Sequence, residues 1–110
     1  MKESIKYGLS VSDIDNIVSV LKSNERIVEV ILFGSRAKGT FSAGSDIDIA
    51  LLGDSLKLND IIQASLEIDN LFLPYKIDLV IFDRIKEDEL IEHIQRVGRT
   101  LYDRQSAISV

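Results

Sequence analysis

Apolar positions change their period from one stretch of the chain to the next, and those changes outline the elements. Ile14, Ile17, Val18 and Leu21 recur at helical spacing and predict a helix with one apolar stripe. Ser10 or Ser12, followed by Asp13 and Asp15, supplies its start, and Lys22-Ser23-Asn24 its end. Val28 to Phe33 is a β-rich run that predicts a first strand leading into Gly34-Ser35. Arg36 to Ser45, with Gly39, Gly44 and small polar residues, predicts a short helical turn and then a loop. Ile47 to Leu52 is the second predicted strand, punctuated by Gly53-Asp54-Ser55. Leu58, Ile61, Ile62, Leu66 and Ile68 give the next helix its core-facing side, and Pro74 stops that helix from continuing. Ile77 to Phe82 is the third predicted strand. Lys86-Glu87-Asp88-Glu89 opens a last helix whose Leu90, Ile91, Ile94 and Val97 face inward. Gly98 is the predicted C-terminal cap, and Leu101-Tyr102 folds back onto the core. No repeat, linker or low-complexity segment interrupts this alternation. It predicts a single α/β (α+β) layer domain over residues 1–110, a mixed sheet of three or slightly more strands flanked by about four helices.

Three acids break the apolar runs. Asp46 and Asp48 stand two apart at the start of the second strand, so a strand points both to one side, while Ile47, Ile49 and Leu51 point to the other. Asp78 has the same setting in the third strand, with Val80 on its side and Ile77, Leu79 and Ile81 opposite. Acids are depleted in strands, and gathering like charges is unfavourable unless a cation neutralises them. Three hard oxygen donors suit magnesium, with manganese as the alternative. If the two strands are neighbours, two acids can bridge a pair of metal ions and the third can complete the one beside an attacking hydroxyl. Upstream, Gly34-Ser35 ends a strand and offers backbone N–H groups and a hydroxyl to a phosphate, with Arg36 and Lys38 placed to reach phosphate oxygens. Together these parts describe a metal-dependent phosphoryl or nucleotidyl transfer site. His93, between Glu92 and Gln95, receives no role, and Tyr7, Tyr75 and Tyr102 read as packing residues with a polar tip.

Composition narrows the field. A chain of 110 residues that is 45% hydrophobic is long enough for one core and too apolar for disorder. With no cysteine, disulfides, thiolate catalysis and cysteine-based zinc sites are excluded. No apolar run approaches the roughly 20 residues of a membrane span, and the start lacks a signal-peptide core, so a cytoplasmic protein is expected. Thirteen basic against eighteen acidic residues, net −5, argues against direct nucleic-acid binding, though not against a nucleotide carried in with its own metal.

Gly34-Ser35, ten residues, Asp46-Ile47-Asp48 and then Asp78 resemble the nucleotidyltransferase fold shared with the DNA polymerase β palm. Gly34-Ser35-Arg36-Ala37-Lys38-Gly39 and Ser45-Asp46-Ile47-Asp48 are similar to the minimal, MNT-type members. The resemblance runs from the first helix to Tyr102. It implies that Asp46 and Asp48 ligate two magnesium ions carrying the triphosphate of ATP, and that Asp78 completes the catalytic metal and helps activate the acceptor hydroxyl. Gly34 and Ser35 would hold the β- and γ-phosphates. Minimal members are typically paired, as antitoxins, with a separate helical HEPN toxin, and several transfer AMP onto a tyrosine of that partner. The expectation is therefore a protein adenylyltransferase in a heteromeric complex, with a homodimer left open. A small-molecule acceptor and an antitoxin that acts by binding alone are the competing readings.

Overall fold

Residues 4–105 are described by the structure, a computed structural model. The chain opens with a small antiparallel hairpin, β1 (Ile5–Lys6) and β2 (Leu9–Ser10), turned at Tyr7-Gly8. The hairpin is too short and too mixed in polarity to register as an alternating pattern. Helix α1 (Val11–Lys22) follows at once. Ser10, rather than Ser12, caps it, its hydroxyl accepting from the Asp13 N–H at 3.1 Å. Next come β3 (Glu29–Phe33), the short helix α2 (Gly34–Lys38) and β4 (Ile47–Leu52). The remaining elements are α3 (Leu58–Asp69), β5 (Ile77–Ile81), α4 (Asp88–Val97) and β6 (Arg99–Asp103). Phe82, predicted as the end of a strand, instead starts a 3-10 turn, Phe82–Arg84.

Four strands form a mixed sheet in the order β5-β4-β3-β6. β4 and β5 run parallel, and the other pairings are antiparallel. Its fourth strand contains the predicted fold-back: Tyr102 stands opposite Val30, with a bulge where the register shifts between Val30 and Ile31. Because side chains alternate along a strand, the sheet sorts its residues cleanly. Val30, Leu32, Ile47, Ile49 and Leu51 face α1 and α3, where they join Ile17, Leu21, Ala64 and Ile68 in the main core. Ile31, Phe33, Ala50 and Val80 face the other way and form a smaller cluster with Leu90 and Ile94 of α4.

Helix α3 departs from its predicted orientation. Ile61, Ala64 and Ile68 pack on the core, but Leu58, Ile62 and Leu66 are 62, 47 and 55% exposed. Its apolar arc is wider than the strip the sheet can cover, and this i, i+4, i+8 row falls on the outer flank. Asp60 shares the inward side. It is buried, and its carboxylate accepts from the Lys57 N–H (2.8 Å), the Asn24 amide (2.9 Å) and Arg26 (3.3 Å). Those three partners hold its carboxyl below the usual aspartate range, the Lys57 N–H most of all. At the far end of the chain, Gly98 does cap α4, but with an ordinary negative φ. A Cβ there would collide with the Ile94 carbonyl and with the Ile31 side chain, so close packing explains the glycine.

Candidate active site

Asp48 lies on β4 and Asp78 on β5, and the parallel register places them directly opposite one another on the face that α4 packs against. Neighbouring strands lie ~4.8 Å apart, so the carboxylates stand side by side. Asp46, just before β4, is exposed at the mouth of the same strand. The half-buried Asp48 carboxyl is pushed above the usual range, first by loss of solvent and then by the charges of Asp78 and Asp46; Lys76, and His93 only when both its nitrogens carry protons, act in the opposite sense. Lys76 stands 3.9 Å from Asp78, a largely exposed pair of little energetic weight. Asp46 and Asp78 therefore both bear on Asp48 at one end of the sheet.

Gly34 closes the other side. Its φ is +76°, in the left-handed region, and a Cβ would strike the carboxylate of Asp48. Phe33, one residue earlier, is the cross-strand partner of Asp48, which fixes how the strand end meets the acid. The Gly34 N–H donates to Nε2 of His93 on α4 at 3.1 Å, and the imidazole meets the Phe33 ring edge-on, 6.2 Å between centroids. His93 thus belongs to the site. A lone histidine flanked by Glu92 and Ile94 gives no spacing signal, and only the seating of α4 on the sheet brings it to Gly34.

The two cations differ from each other, and Arg36 departs from expectation. Arg36 is 1% exposed and faces away from solvent. It donates to the Ser45 carbonyl through Nε (3.1 Å) and an Nη (3.0 Å), to the Tyr7 carbonyl (3.0 Å) and to the Ala43 carbonyl (3.4 Å). Phe41 and Tyr75 cover the guanidinium at 5.3 and 5.0 Å. Phosphate contact is therefore replaced by a structural role, since the donors already serve backbone carbonyls. Lys38, at the end of α2, is exposed. Ser35 is half-buried, and its carbonyl accepts from Gly39 and Thr40 as α2 closes.

Residues 15–107 match the family of polymerase β-type nucleotidyltransferases. The chain belongs to that family. None of the curated proteins compared with it matches. Among solved structures, it is similar to a toxin–antitoxin crystal structure with AMP-PNP, at 26% identity and a TM-score of 0.69, over 86% of this chain and 76% of that one. A second likeness is to the complex of a tri-AMPylated Shewanella oneidensis HEPN toxin with its MNT antitoxin: 21% identity, TM-score 0.65, 88 and 75% covered. At that identity it speaks to the fold, as does a nucleotidyltransferase structure from Sulfolobus solfataricus (23%, TM-score 0.51, 84 and 78% covered). No helix among the described residues is long and apolar enough to cross a membrane.

For a nucleotidyltransferase of this family the acids must also suit a metal. Among the described residues, no three acidic or histidine side chains already close around a point as a cage would. Magnesium does not need one, because it is usually held by one or two carboxylates together with water and substrate phosphates. Asp48 and Asp78 in register, with Asp48 partly desolvated and burdened by its acidic neighbours and Asp46 at the rim, fit that open arrangement.

Proposed function

We propose that this nucleotidyltransferase is the antitoxin of a two-protein pair and transfers AMP from ATP to a hydroxyl of a HEPN-type toxin, most plainly a tyrosine. The observation that carries this is the register of Asp48 with Asp78 against the glycine-ended strand β3. The likeness to a toxin–antitoxin structure holding an adenosine triphosphate analogue supports both nucleotide and partner. The chain acts as one nucleotidyltransferase domain, in the cytoplasm.

In this reading Asp46 and Asp48 hold magnesium with the triphosphate, and Asp78 stands beside the acceptor hydroxyl. Magnesium held there would neutralise charge on the phosphates and make the acceptor hydroxyl more acidic. Gly34 lets the backbone come close, and Ser35 offers donors to the β- and γ-phosphates, with exposed Lys38 available nearby. The acceptor oxygen attacks the α-phosphorus in line, the bond to the β-phosphate oxygen breaks, and pyrophosphate leaves. Asp78 accepts the hydrogen bond of the hydroxyl, takes its proton as the new O–P bond forms, and releases it to solvent. Positioning and charge neutralisation supply most of the acceleration.

The test is to incubate α-labelled ATP and magnesium with the partner toxin and either wild-type protein or Asp48→Asn. Label on the toxin that disappears with the variant is the expected result. A variant that leaves the toxin unlabelled yet still neutralised would place the antitoxin effect in binding alone.

A further inference from the structure

We propose that His93 is a positioning residue for nucleotide binding: by accepting the Gly34 N–H, it sets the Gly34 peptide against which the Asp48 carboxylate rests. This inference rests on the nucleotidyl-transfer reading of the site and concerns how the site is held in shape.

Three observations converge on it. His93 sits on α4, 59 residues from Gly34 in sequence, yet its Nε2 takes the Gly34 N–H at 3.1 Å. To accept at Nε2, the neutral ring carries its proton on Nδ1. Gly34 has a left-handed φ of +76°, a conformation open to glycine and to few other residues, so the peptide on either side of it is free to rotate unless a partner holds it. On its Cα side, Gly34 touches the Asp48 carboxylate closely enough that no Cβ fits. A rotation of the Gly34 peptide would therefore move the surface on which Asp48 lies. The Phe33 ring, edge-on to the imidazole, limits the ring's own rotation. Gly34 then contributes its backbone shape and missing side chain, while its N–H is committed to His93 and phosphate donors come from Ser35.

Two variants separate acceptor from packing. In His93→Gln, the amide oxygen can stand about where Nε2 stands and accept the same N–H. In His93→Phe, the edge contact with Phe33 is kept and the acceptor is lost. Affinity for ATP with magnesium is measured by calorimetry, and the Gly34 amide proton is followed by NMR without nucleotide. His93→Phe is expected to move the Gly34 amide proton upfield and to weaken nucleotide binding about tenfold, the low end of the loss seen when a partner orienting a metal ligand is removed. His93→Gln is expected to stay within about twofold of wild type. Equal affinity in wild type and His93→Phe, or tighter binding by His93→Phe, would overturn the proposal, the latter because His93 would then compete with phosphate for the N–H. Equal weakening in both variants would also overturn it by assigning the effect to packing. Wild-type protein that binds no ATP with magnesium at millimolar concentration would instead sink the nucleotidyl-transfer reading, whatever the Gly34 amide shows.

Discussion

The two faces of the sheet are built differently although they share every strand. Towards α1 and α3 the sheet presents Val30, Leu32, Ile47, Ile49 and Leu51, all buried and all branched aliphatics. Towards α4 it presents Ile31, Phe33, Ala50 and Val80, with only Phe33, Ala50 and Ile94 buried in that cluster. On the same side and at the same end stand Asp48, Asp78, Gly34 and His93. One face supplies burial, and the thinner one leaves room for charge. A two-residue period produces this division, because moving an acid by one position would drive it into the main core.

That contrast can be broken most severely at Asp48. Asp48→Asn should reduce transfer to the partner on the order of 10³-fold in the labelling assay. In metal-free buffer the same variant should melt higher than wild type, because it relieves the desolvation and repulsion that burden the carboxylate. A lower metal-free melting temperature would mean that the acid stabilises the fold and is not held there against it.

Next in size is a pair of substitutions, one on each face. Leu21→Ala removes a fully buried side chain from the main core and should lower stability by about 2–5 kcal/mol in urea. Its nucleotide affinity, measured where the protein is still folded, should be unchanged. Ala50→Leu overfills the thin face, two residues beyond Asp48, and should cost about 1–3 kcal/mol. Here nucleotide affinity should fall as well, since α4 carries His93 and must shift to make space. If both variants left nucleotide affinity alone, the two faces would not differ in function.

Asp60 gives a pH-dependent check on the main-core side. Its folded carboxyl titrates below its ordinary range, so its stabilising contribution is present above that range and disappears as pH falls through the folded value. The gap in urea midpoint between wild type and Asp60→Asn should be widest near neutrality and close in acid. A gap that persisted unchanged in acid would point to shape rather than charge. The smallest effect belongs to the outer row of α3: Leu66→Gln should change stability by less than about 0.5 kcal/mol, because the side chain is already largely in water.

Much of this arrangement is legible in the sequence where one period dominates. β4 has the predicted bounds, and the alternation around Asp78 correctly divides Ile77, Leu79 and Ile81 from Asp78 and Val80. That Asp48 and Asp78 are neighbours depends on strand order, which periodicity does not encode. β6 is hard to read because Arg99, Thr100 and Asp103 surround its few apolar positions, and only pairing with β3 makes it a strand. α3 misleads through abundance, having more apolar positions than its contact strip can use. Arg36 is the deepest error. An arginine after Gly34-Ser35 suggests an anion, whereas carbonyls from Tyr7, Ala43 and Ser45, distant in sequence or in a loop, are what surround it.

The same guanidinium gives a physical meaning to the ten-residue interval between Ser35 and Asp46. The interval is the length of chain that leaves α2, winds around Arg36 and enters β4 with Asp46 at its mouth, fastened on the way at Ala43 and Ser45. An inserted or deleted residue between Arg36 and Ser45 would offer the guanidinium the wrong carbonyls, or let go of them and leave the acid on a slack tether. The loop therefore works as a ruler, and Arg36 is the peg around which it is measured.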